Sequence, residues 1–262
     1  MNKPRIFING RNDMKKLILS TAALVLSAGM ALADTIRMGT EGAYPPYNFI
    51  NDNGEVDGFE RELGDELCAL AGLTCEWVTN EWDSIIPNLV SGNYDTIIAG
   101  MSITDERDEV IDFTQAYLPP DPSAYVGLAG TELEMGTGVV AAQTGTIQAS
   151  HIASTGRTLV EFATPDETIA AVRNGEADAV LADKSYLAPI VAESGGELTF
   201  VAEDVMIGGG VGMGLRESDG ELRETFDDVI STMKNDGSLD ALIVKWFGED
   251  AVTWAMVNEG GK

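Results

Sequence analysis

Basic side chains are scarce in this sequence: 16 Lys and Arg stand against 43 Asp and Glu, a formal charge of −27 over 262 residues. A surface that acidic repels phosphate backbones and anionic lipid headgroups, which excludes nucleic-acid binding and polybasic membrane docking. Histidine is scarcer still, with His151 alone, and neither cysteine belongs to a CxxC, so no zinc site is legible. No P-loop is present. The glycine run Gly208-Gly209-Gly210-Val211-Gly212-Met213-Gly214 lacks the GxGxxG register and does not lead directly into a helix, which argues against a dinucleotide site. Aromatics amount to only 7%, yet hydrophobic residues reach 44%, enough for a buried core and too many for wholesale disorder. The length suits one large domain or two small ones. Most of the carboxylates then read as a solvated acidic surface, which favours small cationic ligands only weakly.

Long apolar runs are missing too, with one exception. Met14-Lys15-Lys16 opens a short cationic segment, Leu17 to Leu32 is almost continuously apolar, and Ala31-Leu32-Ala33 supplies a small-x-small pattern. The run is too short for a comfortable membrane span, and the three parts together form a secretory signal. The expected leader is 1–33, with translation starting at Met14 and cleavage after Ala33. It contains Lys3, Arg5, Arg11, Lys15, Lys16 and Asp13, so its removal leaves 229 residues and a charge of −31. No cysteine follows the cleavage site to carry a lipid, and the exported chain is expected free in a bacterial periplasm. Cys68 and Cys75 flank Ala71-Gly72, which reads as a helix end turning into a strand. An oxidising compartment permits a short-loop disulfide there, and two buried free thiols are the alternative.

The rest of the chain alternates strand and helix. Thr35 to Gly39 reads as a strand, and Phe59, Leu63, Leu67 and Leu70 recur at helical spacing over about 58–71. Further strands are expected at 75–79, 96–99, 139–142, 159–162, 179–182 and 198–201. Helices are expected at 84–90, from 146, and over 165–174, 184–193, 221–235 and 239–247. The Pro-rich turn Leu118-Pro119-Pro120-Asp121-Pro122 and the glycine run break this pattern twice. The expectation is an α/β chain of two lobes: 34–118 with 213–262, and 123–207, joined by crossings at 119–122 and 208–212 that form a hinge.

The segment Ala99-Gly100-Met101-Ser102-Ile103-Thr104-Asp105-Glu106-Arg107 ends a buried strand and enters a short helix. A guanidinium fork at Arg107 suits a carboxylate, and Ser102 adds a hydroxyl and a backbone N–H near a helix start. Spacing alone equally allows Arg107 to pair with Asp105 or Glu109 on the surface. Asp183 stands where it could cap the helix at 184–193. Tyr44 and Trp82, like most aromatics of α/β proteins, could simply be core.

Several motifs share one resemblance. Gly39-Thr40-Glu41-Gly42-Ala43-Tyr44-Pro45-Pro46-Tyr47, Gly58-Phe59, Trp82-Asp83-Ser84-Ile85-Ile86-Pro87 and Gly100 to Arg107 resemble the periplasmic amino-acid-binding proteins of ABC importers, solute-binding family 3. Gln143-Thr144-Gly145-Thr146-Ile147-Gln148, Leu181-Ala182-Asp183, Asp236-Gly237-Ser238-Leu239 and Lys245-Trp246-Phe247-Gly248 continue it in order along nearly the whole exported chain. The Cys68–Cys75 spacing is similar to that of the histidine and lysine/arginine/ornithine receptors. The resemblance implies the two-lobe, type II periplasmic binding protein fold, closing on its ligand about the hinge. It further implies that Arg107 clamps a ligand α-carboxylate with Ser102 and the Thr146 N–H. Asp183 takes the α-ammonium with Ser102 and the Gly100 carbonyl, Tyr44 and Trp82 form aromatic walls, and Met101, between Gly100 and Ser102, belongs to the expected ligand-binding set.

Glu41 stands where basic-amino-acid receptors of that family carry an acid, making an anionic, aromatic slot for a cationic tail. Against this, Ala99-Gly100-Met101 departs from the serine-rich version of the histidine and lysine/arginine receptors and resembles glutamine-type and opine-type receptors. The expected function is therefore the binding component of an importer for an arginine-, ornithine- or lysine-like amino acid. A glutamine, histidine or opine receptor is the alternative on the same fold. The implied partners are a small-molecule amino acid and an inner-membrane permease/ATPase complex, with a monomeric chain, no cofactor and no metal. Two other classes compete. A sensory module would need a separate receptor, and a dehydratase-like or transglycosylase-like enzyme would need an acid/base pair that Glu161, Glu167 and His151 do not make.

Overall fold

The computed structural model describes Met1, residues 35–133 and residues 136–260. The start at Met14 and the cleavage after Ala33 lie outside the described residues. The chain from 35 onward belongs to one compact unit.

Its first stretch runs β1 (Thr35–Thr40), β2 (Ala43–Tyr44), β3 (Asn48–Ile50), β4 (Val56–Asp57), α1 (Phe59–Ala71) and β5 (Thr74–Thr79). A 3-10 turn at Trp82–Ser84 leads into α2 (Ile85–Val90), β6 (Thr96–Ile97), α3 (Asp105–Asp108) and β7 (Asp112–Phe113). The middle stretch holds β8 (Ser123–Leu128), β9 (Val139–Gln143), α4 (Ile147–Ser154), β10 (Thr158–Phe162), α5 (Pro165–Arg173), β11 (Ala179–Asp183), α6 (Lys184–Glu193) and β12 (Leu198–Phe200). The chain closes with β13 (Gly214–Leu215), α7 (Gly220–Asp236), α8 (Ser238–Phe247) and α9 (Trp254–Gly260).

The periodic sequences become amphipathic helices. Phe59, Leu63 and Leu67 of α1 are fully buried at spacings of four, and Gly72 ends the helix in the left-handed region at φ 68°. Thr164 and Glu167 form a capping box at the start of α5, with Pro165 in its first turn. Strands β2, β3 and β4, absent from the sequence reading, form a small antiparallel sheet of their own.

Two five-stranded sheets organise the rest, in the orders β5-β1-β6-β13-β7 and β10-β9-β11-β8-β12. In each, four strands run in one direction and the strand entering from a crossing is antiparallel to both of its neighbours: β13 in the first, β8 in the second. The chain leading into the first crossing pairs with the second. Val211 donates to the Leu118 carbonyl at 3.1 Å, and Tyr117 donates to the Val211 carbonyl at 2.8 Å. Gly210 makes the approach possible. Its φ is 99°, and a Cβ there would meet the Leu118 carbonyl oxygen at 2.8 Å.

Cys68 and Cys75 form a disulfide, their Cα atoms 6.2 Å apart, between the end of α1 and the edge strand β5. Closing so short a loop stabilises the fold by about 2–3 kcal/mol through the unfolded chain. Replacing both cysteines with serine should lower the unfolding free energy by that amount in urea titration. A loss below about 0.5 kcal/mol would show that the loop is already ordered in the unfolded ensemble.

Candidate functional site

The candidate residues gather where the parallel strands end, the place at which open α/β sheets present ligands. Glu41 follows β1, Gly100 and Ser102 follow β6, Gln143 ends β9, and Asp183 ends β11. One cavity of about 30 Å³ between the two sheets is lined by Glu41, Tyr44, Trp82, Gly100, Ser102, Arg107, Thr146 and Asp183. Ala99, Gln143, Ile147 and Gln148 complete its wall. A larger groove of about 820 Å³ adjoins it and shares Glu41 and Trp82. The smaller cavity is the candidate site, because the oppositely charged side chains converge there.

Arg107 reaches inward from α3. Its guanidinium donates to the carbonyls of Ser102 (2.7 Å) and Gly145 (3.2 Å) and lies 5.3 Å from the Trp82 ring centre. The side chain is thus aimed across the cavity, not at Asp105 or Glu109. Burial pulls its pKa down to about 10, partly offset by the charges of Glu106 and Asp183, and it stays protonated at neutral pH.

Asp183 faces it from the second sheet. The residue occupies the N-cap position of α6, yet its side chain makes no capping bond. Its oxygens accept instead from the Tyr44 hydroxyl (2.8 Å) and Gln148 Nε2 (3.0 Å), and its backbone N–H donates to the Tyr44 oxygen at 3.1 Å. Burial raises this carboxyl to about 6 against the pull of those hydrogen bonds. Tyr44 stacks on Tyr186 with ring centres 4.2 Å apart.

Glu41 accepts from Gln143 Nε2 at 2.6 Å, and burial raises its carboxyl to about 7. Gly100 turns the chain at φ 62°, a conformation that favours glycine, beside the rings of Tyr44 and Tyr47. Thr146 caps α4: its hydroxyl donates to the Gln143 carbonyl (2.7 Å) and accepts from the Ala149 N–H (3.2 Å).

Met101 is the correction among the expected site residues. It is fully buried, packed with Ile97, Ile111 and Phe113, and does not line the cavity. Gly100 turns the chain just before it, and the Met101 side chain is directed into that core. Conversely, Gln143 and Gln148 enter the sequence reading only as part of a motif. Their signal is a polar side chain at a strand end and another in the first turn of a helix, both nearly buried. Among the described residues, no group of three or more His, Cys, Asp or Glu side chains could hold a metal ion. Nor is any helix there long and apolar enough to cross a membrane.

Residues 36–249 match the model of the bacterial extracellular solute-binding proteins, family 3. A crystal structure of a periplasmic His/Glu/Gln/Arg/opine family-binding protein from Silicibacter pomeroyi, in complex with lysine, is 75% identical in sequence and has a TM-score of 0.81. The match covers 84% of this chain and 100% of that one. The lysine/arginine/ornithine-binding periplasmic protein of Escherichia coli (strain K12) is 30% identical over 254 residues, covering 89% of this chain and 97% of that protein. An L-arginine-binding protein of Pseudomonas aeruginosa is 31% identical over 255 residues, covering 90% and 98%. The two-sheet architecture is accordingly the type II periplasmic binding protein fold.

The two raised carboxyls have a measurable consequence. An acid whose folded pKa lies above its unfolded value contributes stability below the unfolded pKa and loses it as pH rises through the folded one. For Glu41 the window runs from about 4.5 to about 7. The melting temperature of the wild type, relative to Glu41→Gln, should therefore fall as pH is raised from 5 to 8 in thermal denaturation. Parallel curves would show that Glu41 titrates normally.

Proposed function

The chain belongs to the bacterial extracellular solute-binding proteins of family 3, and from that premise we propose that it captures one amino acid with a cationic side chain, of the lysine, arginine and ornithine kind. One observation carries this: a half-buried guanidinium and two carboxylates, each in a setting that disfavours charge, line one small cavity. A zwitterion with a positive tail supplies the complement of all three. Arg107 would take its α-carboxylate with the Ser102 hydroxyl and the Thr146 N–H. Asp183, Ser102 and the Gly100 carbonyl would take its α-ammonium, while Tyr44 and Trp82 enclose its stem and Glu41 meets the distal cation.

Binding by closure follows from the topology. Lobes 34–118 with 213–262, and 123–207, would separate about 119–122 and 208–212. Three contacts then change partners: Tyr44 with Asp183, Glu41 with Gln143, and Arg107 with the Gly145 carbonyl. The ligand would replace the first two from inside. The closed form would dock, as a monomer in the periplasm, on an inner-membrane permease/ATPase complex. Such a cycle needs no bond-breaking step, and we assign this chain no catalysis.

Titration calorimetry of the protein without residues 1–33 against lysine, arginine, ornithine, histidine, glutamine and glutamate tests the reading. Absence of binding to all of them would overturn it. Arg107→Ala should cost about 3 kcal/mol or more for every α-amino acid bound, because a buried carboxylate loses its partner. Affinity near that of the wild type would remove Arg107 from the clamp. Glu41→Gln should weaken lysine and arginine at least tenfold more than glutamine, and equal losses would mean that Glu41 does not read the side chain.

A further inference from the structure

Glu60 is buried without exposure in the first turn of α1 and does not line the cavity. Among the described residues it is the one charged side chain buried to that degree. Its carboxylate is nonetheless fully engaged. Oε1 accepts from the Gly100 N–H at 2.6 Å and from the Tyr117 hydroxyl, and Oε2 accepts from Asn48 Nδ2 at 2.7 Å. Asn48, equally buried, accepts in turn from the Gly42 N–H at 2.7 Å.

Gly100 lines the site itself, and the other partners adjoin its frame. Gly42 lies between Glu41 and the Ala43–Tyr44 strand, Gly100 is the corner that turns into Ser102, and Tyr117 bonds to Val211 of the second crossing. The polarity of the chain of bonds is fixed end to end. Gly42 N–H can only donate, so Asn48 must turn its oxygen there and its NH₂ toward Glu60. Gly100 N–H can only donate as well. Residue 60 must therefore accept on both oxygens, which a carboxylate does and a neutral amide cannot.

We propose that Glu60 is a positioning residue for the ligand site: its buried carboxylate ties the Gly42–Tyr44 loop, the Gly100 corner and the chain leading into the first crossing into one frame. The inference rests on the ligand-capture reading above. In Glu60→Gln the new amide would point its NH₂ either at Asn48 or at the Gly100 N–H, forcing two donors together. Adding Asn48→Asp moves the charge to position 48 and satisfies every group again. The carboxylate then at position 48 accepts from the Gly42 N–H and from the amide NH₂ at position 60. The amide oxygen at position 60 accepts from Gly100 and Tyr117.

The test compares wild type, Glu60→Gln, and Glu60→Gln with Asn48→Asp. Lysine affinity by calorimetry at a temperature where each is folded ignores a mere loss of stability. Amide exchange at Gly42 and Gly100 in the free protein reads the frame without any ligand. The single variant should bind lysine about tenfold or more weakly and exchange faster at both glycines. The double variant should return to within about threefold of wild type. A single variant that binds and exchanges like wild type overturns the proposal, as does a double variant no better than the single. If the single variant does not fold, the double decides alone: folded with restored lysine binding supports the proposal, and unfolded or non-binding overturns it. If the wild type binds no amino acid, ligand capture falls, while exchange at Gly42 and Gly100 still judges the frame.

Discussion

A guanidinium taken out of water governs this molecule. Arg107 gives up part of its hydration and receives two carbonyl oxygens and an indole face in exchange. None of these carries the full negative charge that a buried cation favours. Two carboxylates on the other walls, Glu41 and Asp183, are similarly displaced from their preferred medium. Burying a charge against a dipole is tolerable and burying it against an opposite charge is better. A cavity walled in this way has a steep preference for what it encloses. The rest of the fold is the apparatus that keeps these groups facing one another: strand ends that deliver them, glycines at 100 and 210 that let the backbone turn close by, and a buried carboxylate behind the wall.

That apparatus is unevenly legible in the sequence. Helix α1 announces itself because Phe59, Leu63 and Leu67 obey one period, and α5 because Thr164, Pro165 and Glu167 spell out a helix start. Strands β8 and β13 do not. Ser123–Leu128 is buried on both faces and so has no alternation to read. Gly214–Leu215 is two residues long and derives its identity from β6 and β7, which lie far back in the chain. The strands of the small sheet are equally short, and only their mutual pairing makes them strands.

Site residues follow a similar division. Arg107 stands out because basic residues are scarce and a guanidinium fork suits a carboxylate, whereas Glu41 and Asp183 take their roles from the resemblance of their motifs. Met101 misleads because a run of neighbours reads as one surface, whereas the chain turns at Gly100 and the Met101 side chain enters the core. Gln143 and Gln148 are easily passed over because an amide is commonplace in sequence. Burial is what makes it informative, by requiring partners such as Glu41 and Asp183. Glu60 is the extreme case, since an acid in a first helical turn ordinarily needs no explanation beyond the helix dipole.

The antiparallel strand β13 also sets an order of assembly. Every strand of the second sheet lies in one continuous stretch, from Ser123 to Phe200, so that half is complete as soon as its own chain is present. The first half is not. Strands β6 and β7 flank a gap that only Gly214 and Leu215 fill, and those residues arrive after the whole second half. Threaded from its N-terminus, the chain must carry an unfinished sheet with two bare edges until it has passed Leu215. The half that begins first is therefore the half that finishes last.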